Sequence, residues 1–157
     1  MLQCVAYSFT RIGTACGELH RDKEVVLDAL KDVVHHNHSK DVVHHNHSKD
    51  VLHIFNGSLS ENLRADKEVV LCAVMQAGKA LEFASDDLRG DKTVVMTAVG
   101  KDGAALQYAS EKLRGDKQVV TAAARKYGKA LEYASEELRG DTEVETAAIK
   151  QHGEALE

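Results

Sequence analysis

A repeat of 25 residues constrains the fold of this 157-residue chain more than any other feature of its sequence. Four copies of one pattern begin at Asp66, Asp91, Asp116 and Asp141, and they read DKEVVL, DKTVVM, DKQVVT and DTEVET. The second half of the unit recurs with the same period as GKALEFASDDLRG, GAALQYASEKLRG and GKALEYASEELRG. A period of this length predicts a supersecondary unit that stacks on its neighbours.

Each unit is predicted to form two short helices. Asp116 is a good N-cap, because its carboxylate can accept hydrogen bonds from the free amides of the first turn. Apolar residues then follow at helical spacing in both halves: Val120, Ala123 and Ala124 in the first, and Leu131, Ala134 and Leu138 in the second. We expect Gly128 to end the first helix in the left-handed conformation, Gly140 to end the second, and Asp141 to cap the next.

The adjacent valines of each unit also suit a parallel sheet, but three observations favour helices. The apolar spacing beyond the valines is helical, the units are rich in Ala, Glu and Lys, and the chain contains no proline. An isolated helix pair of this size is marginal in water, whereas stacked copies bury a continuous Val/Ala/Leu seam. The sequence therefore predicts an all-α fold, an α-solenoid of tandem helix-turn-helix repeats of about 25 residues.

We expect a single array over residues 1–157. It divides into a partial repeat over 1–21, a degenerate repeat over 22–65 with an insert at 32–49, regular repeats over 66–90, 91–115 and 116–140, and a truncated repeat over 141–157. Glu145 stands where the other copies have valine, which predicts a terminal cap or a frayed unit. Because the sequence stops midway through an expected second helix, we expect the native chain to continue beyond Glu157.

The motif DKEVVLxAVxxxGxALEYASEELRG resembles the repeats of the family designated domain of unknown function 4116. Residues 66–157 match it closely, and residues 1–31 match in part, through Glu18-Leu19 and the stretch from Asp22 to Leu27. The resemblance implies a helical-repeat fold. It brings no established activity or cofactor, so it supplies no catalytic residues.

A histidine-rich insert interrupts the first repeat. The nonapeptide DVVHHNHSK at 32–40 recurs unchanged at 41–49, and seven of the nine histidines lie between 35 and 53. Two pairs have i, i+3 spacing, namely His35 with His38 and His44 with His47. On a helix such pairs can share Zn²⁺, Ni²⁺ or Cu²⁺. The alternatives are a solvated low-complexity expansion that binds metal adventitiously and a pH-responsive element.

Two further periodic features have a structural and a functional interpretation. Phe83, Tyr108 and Tyr133 occupy one column at 25-residue spacing, where they either pack between neighbouring units or form a partner-binding face. The tripeptide Arg-Gly-Asp occurs three times, at 89–91, 114–116 and 139–141. Because helix capping already requires glycine and then aspartate at this junction, we expect these tripeptides to be structural and not cell-adhesion sites.

Composition and motifs narrow the function classes. The net charge of −5 and the mixing of basic with acidic residues argue against nucleic-acid binding, and no apolar run is long enough to span a membrane. The cysteines Cys4, Cys16 and Cys72 form no CxxC pair, which predicts a reducing, intracellular and by default cytoplasmic setting, with an organellar location as the alternative.

The function predicted from these features is a binding module. No catalytic set of acid, thiolate or glycine-rich loop is complete, so we expect no enzyme and no cofactor beyond adventitious metal. Repeat arrays present broad surfaces, which favours a scaffold that binds another protein, as a peripheral subunit of a larger assembly. The alternative is a metal-binding or pH-responsive protein that acts through the histidine-rich segment 35–53.

Overall fold

The computed structural model describes residues 23, 24, 26–28, 30 and 59–153, with side chains as far as Ile149. In this part of the chain all regular structure is helical, which confirms the all-α repeat fold. From residue 59 onward the elements are α1 Glu61–Arg64, α2 Lys67–Gln76, η1 Gly78–Phe83, α3 Asp86–Arg89, α4 Lys92–Lys101, η2 Gly103–Tyr108, α5 Glu111–Arg114, α6 Lys117–Lys126, η3 Gly128–Tyr133, α7 Glu136–Arg139 and α8 Thr142–Gly153, where η denotes a 3₁₀ helix.

Each long helix begins at an aspartate. The carboxylates of Asp66, Asp91, Asp116 and Asp141 each accept two hydrogen bonds from first-turn amides, at 2.9–3.3 Å. These bonds satisfy amides that have no partner within the helix. The N-caps predicted for Asp116 and Asp141 are therefore confirmed.

The second half of each repeat differs from the prediction of one continuous helix. It consists of a six-residue 3₁₀ helix, an extended Ala-Ser pair and a one-turn α-helix. The interruption lies where the serine N–H donates to an arginine carbonyl of the preceding repeat, in the pairs Ser85–Arg64, Ser110–Arg89 and Ser135–Arg114, each at 3.0 Å. A continuous helix would direct that amide to its own carbonyl four residues earlier. A bond between repeats thus replaces a bond within the helix.

The glycine after the long helix is not the left-handed cap that the sequence predicts. Helix α6 ends at Lys126, Tyr127 is extended, and Gly128 already begins η3. At the equivalent Gly103, a Cβ atom would lie 2.6 Å from the carbonyl oxygen of Ala123 in the next repeat. Glycine is required at position 103 because the backbones of adjacent repeats approach each other closely there. Gly140 does follow the last helix of its unit, as predicted.

The core is a seam of valine, alanine and leucine that runs through the stacked repeats. The valine pairs of the three regular repeats are fully buried: Val69, Val70, Val94, Val95, Val119 and Val120. Ala123, Ala124 and Ala134 are buried as predicted, whereas Leu131 and Leu138 are only partly buried. No polar or charged residue in the described ranges is buried. The predicted apolar stripe is therefore the packing surface.

The face of α8 that carries Glu145 is open within the described part of the chain. Glu145 is exposed, whereas Val120, at the equivalent position, is fully buried. Ile149 is 68% exposed, while Ala124 at its equivalent position is also fully buried. The charge at the seam position is thus in contact with solvent, so it incurs no burial cost.

The described residues of 23–30 pack on α2, although a long stretch of sequence separates them from it. Lys23 forms ion pairs with Asp66 at 2.9 Å and with Glu68 at 2.8 Å. The side-chain amide of Gln76 donates to the carbonyl oxygen of Leu30 at 2.6 Å. The described residues of 23–30 are helical, and their packing on α2 uses the same type of ion pair as the regular repeats.

Candidate partner-binding edge

A row of ion pairs connects consecutive repeats along one edge. The lysine that follows each capping aspartate reaches the aspartate of the next repeat. This lysine–aspartate ladder consists of Lys23–Asp66, Lys67–Asp91, Lys92–Asp116 and Lys117–Asp141, at 2.9, 2.6, 2.7 and 2.9 Å. Each aspartate therefore caps its own helix with one oxygen and binds the preceding repeat with the other. The capping pattern alone does not predict this second role, although a lysine follows the aspartate in four copies and is the available signal.

The ladder shifts the protonation equilibria of its members. The hydrogen bond from Lys67 holds the pKa of Asp91 below its ordinary value, and Lys92 has the same effect on the pKa of Asp116. The amides of the helix N-terminus lower these pKa values further, because they favour the charged carboxylate. These carboxylates are stabilised as anions by the fold, so their role is structural.

The same contacts account for the Arg-Gly-Asp tripeptides. In the tripeptide at 89–91, Gly90 follows α3, and Asp91 is engaged by two backbone amides and by Lys67. The Arg89 side chain forms an ion pair with Asp86 on its own helical turn. The carboxylate that adhesion would require is thus already bound within the fold.

The aromatic column consists of Phe83, Tyr108 and Tyr133, and it lies at the ends of η1, η2 and η3. Each side chain packs against the apolar core and remains partly exposed. Packing against the core is therefore present, and the partner-binding role of the exposed portion stays a prediction. The exposed portion repeats at a regular interval, because the 3₁₀ helices stack on one another.

Tyr108 lies in a partly acidic environment. Burial raises the pKa of its hydroxyl, and the Glu82 carboxylate of the preceding repeat raises it further, both through its charge and by accepting the hydroxyl hydrogen bond. Tyr133 and Asp102 add smaller contributions in the same direction. The hydroxyl therefore stays protonated and connects two repeats.

Tyr127 is an exposed aromatic residue that the repeat pattern does not predict. It precedes η3, is 39% exposed, and its Cβ atom would lie 2.8 Å from a Cβ atom placed on Gly103. It occupies the position of Ala77 and Asp102 in the two preceding repeats, so periodicity gives no signal for it. Tyr127 is therefore an exposed aromatic side chain in addition to the aromatic column.

The predicted metal ligands His35, His38, His44 and His47 lie outside the described residues. Within the described residues, no group of three or more His, Cys, Asp or Glu side chains is arranged to hold a metal ion. Cys72 is half-buried against the core, whereas Cys4 and Cys16 lie outside the described ranges. No described helix combines the length and the apolar character that a membrane crossing requires.

The sequence of the repeats is similar to that of one known protein family. A family model described as Domain of unknown function (DUF4116) matches residues 56–89, 91–139 and 116–157. The chain belongs to this family. The DUF4116 assignment confirms the resemblance drawn from the repeated motif, and its description assigns no activity. No curated protein and no solved structure matches the chain.

Proposed function

We propose that this DUF4116 chain is a non-catalytic helical-repeat scaffold that binds another protein along the aromatic column, as a peripheral subunit of a larger assembly. The observation that carries the proposal is the regular exposure of Phe83, Tyr108 and Tyr133 on stacked 3₁₀ helices. Aromatic side chains contribute large contact areas with few rotatable bonds, which makes them frequent anchors of protein interfaces.

The fold supports this role because it holds the column rigidly. Backbone hydrogen bonds of 3.0 Å join the serine before each one-turn helix to the preceding repeat, and the lysine–aspartate ladder joins the long helices. A surface that is already ordered before binding loses little conformational entropy when a partner docks. A stiff array with regularly spaced aromatic groups suits an extended partner better than a small molecule.

The chemistry of the described residues supports a non-catalytic role. The carboxylates with lowered pKa values are the capping aspartates, whose oxygens are engaged by amides and lysines. Perturbed groups in an active site are usually free to meet a substrate in a cleft. Here the perturbation is explained by the repeat framework, so it does not indicate catalysis.

The proposal is tested with the double variant Tyr108→Ala/Tyr133→Ala. Tagged parent and variant chains are used to isolate interacting proteins from the cells that make the protein, and the isolated proteins are quantified by mass spectrometry. The affinity of the purified main partner is then measured for both chains. We expect binding to weaken by at least about tenfold, since each lost anchor removes about 1–2 kcal/mol.

Met75→Ala is the matched control for this experiment. Met75 is 63% exposed but lies on α2 and not on a 3₁₀ helix, so its loss removes exposed apolar surface outside the aromatic column. Circular dichroism melts establish that all chains are folded. Equal retention of the partner by the parent, the control and the double variant would remove the aromatic column from the binding surface.

A further inference from the structure

Four cations lie beside the exposed Tyr127, where the long helices of the second and third regular repeats end. We call them the cationic cluster: Lys101, Arg125, Lys126 and Lys129. All four side chains are exposed. Lys101 ends α4 two residues before Gly103, where an added Cβ atom would lie 2.8 Å from the Cβ atom of Tyr127, so the backbone that follows Lys101 passes against Tyr127.

The cationic cluster forms no ion pair among the described residues, although Asp102 follows Lys101 directly in the chain. The ladder lysines and two of the arginines are all paired with carboxylates. In the described part of the chain, no nitrogen of the cationic cluster lies within 4.0 Å of a carboxylate oxygen. This holds even for Lys129, which has Glu132 three residues later in η3.

The repeat framework does not require these cations. In the repeat over 66–90, the positions of Arg125, Lys126 and Tyr127 are occupied by Met75, Gln76 and Ala77, and the backbone is the same. The helix dipole favours cations in the last turn of α4 and α6. It does not account for Lys129, nor for the absence of ion pairs to the cluster among the described residues. A local excess of positive charge on a chain of net charge −5 is therefore a feature of this surface and not of the fold.

We propose that the cationic cluster receives an acidic segment of the partner protein, with Tyr127 in contact with its apolar side chains. This inference rests on the proposed protein-binding role and names the chemistry of the partner. Charge complementarity of this kind steers encounter and fixes register at interfaces. Nucleic acid fits less well, because it requires a basic stripe along several repeats, whereas this cluster is local and the chain as a whole is acidic.

The test uses a phage-displayed library of random linear peptides, selected on the full chain. We expect the selected peptides to be enriched in Asp and Glu and to bind less tightly as NaCl is added. Binding of a synthetic selected peptide, measured by fluorescence anisotropy, should fall by about tenfold or more in Arg125→Glu/Lys126→Glu/Lys129→Glu. The neutral variant, with Gln at the same three positions, should show a smaller loss of peptide affinity. It replaces the charge-reversed variant in the test if that variant does not fold.

Lys79→Glu/Lys112→Glu/Arg139→Glu is the charge-matched control, since all three side chains are exposed and lie outside the cationic cluster. We expect this control to retain the peptide. Selected peptides that lack acidic enrichment, survive the charge reversal and yet depend on Tyr108 and Tyr133 would overturn this inference and leave the proposed function standing. Peptides that depend on neither set of residues would overturn both. Tighter binding of a single-stranded oligonucleotide than of acidic peptides would instead assign the cluster to nucleic acid.

Discussion

Replacing Gly103 by alanine tests the close approach of adjacent repeats. The added methyl group would lie 2.6 Å from the carbonyl oxygen of Ala123, 2.8 Å from the Cβ atom of Tyr127 and 3.0 Å from its backbone nitrogen. Two of these three atoms belong to the backbone, so no side-chain rotation can relieve the contact. The two repeats must move apart, and the buried valine seam between them opens.

The expected cost follows from this geometry. Overpacking of a core by one methyl group costs about 1–3 kcal/mol, and a contact with backbone belongs at the upper end of that range. For a chain of this size, about 2 kcal/mol lowers the melting temperature by about 4–8 °C. The measurement is unfolding by urea and by heat, followed by circular dichroism under identical conditions for the parent and the variant.

Gly100→Ala provides a control with the opposite sign. Gly100 lies in α4, is exposed, and a Cβ atom there would meet nothing within 4 Å. Alanine should stabilise this helix position by about 0.5–1 kcal/mol. Gly103→Asn distinguishes two reasons for a glycine at this position, namely close approach of the backbones and a left-handed cap. Asparagine tolerates a left-handed cap but fills more space than alanine. If Gly103→Asn is less harmful than Gly103→Ala, or if Gly103→Ala is as stable as the parent, the close-approach argument is wrong.

Three further predictions concern the core, the ladder and the insert. Leu106→Asp places a charge at a fully buried position, which should cost on the order of 5 kcal/mol and abolish the parent's cooperative melt. Asp116→Ala should lose about 1 kcal/mol more than Asp116→Asn in urea unfolding, because asparagine preserves the cap and removes only the ion pair with Lys92. Since Lys92 holds the pKa of Asp116 below its ordinary 3.8, the carboxylate stabilises the fold above that pH and loses this effect as pH falls through the folded pKa. The parent's stability should therefore fall more steeply than that of Asp116→Asn below about pH 4. Deletion of 32–49 should leave unfolding unchanged within about 0.5 kcal/mol, and calorimetric titration should show that it removes weak zinc binding. A parent chain that binds no zinc would contradict the last prediction.

The sequence predicts the repeat fold well because its signals are local and recur. Asp116 and Val120 lie within one helical turn of each other, and both a cap and an apolar stripe can be recognised from such spacing. Four copies of the same pattern reduce the chance that a single capping residue is misleading. For these reasons the long helices, their caps and the buried seam were all predicted.

The second half of the repeat was mispredicted because its conformation depends on contacts between repeats. The residues around Ala134 are good helix formers, and the local pattern favours one helix. The helix is interrupted because Ser135 donates its amide to Arg114 of the preceding repeat, a bond that sequence spacing does not show. The role of Gly103 was missed for the same reason, since its close neighbour Ala123 belongs to the next unit.

The aromatic column and the cationic cluster are expected to contribute differently to binding, because only the column is periodic. The aromatic column recurs in every regular repeat, so a partner that contacted only this column could shift by one repeat and meet an equivalent surface. Phe83, Tyr108 and Tyr133 can therefore supply affinity but not a unique register. The cationic cluster is centred on one repeat, because the sequence Arg125-Lys126-Tyr127 has no counterpart in the others. Its positions are Met75-Gln76-Ala77 in the first regular repeat and Gly100-Lys101-Asp102 in the second. A feature that breaks the repeat symmetry is what a scaffold needs to hold its partner at a single position.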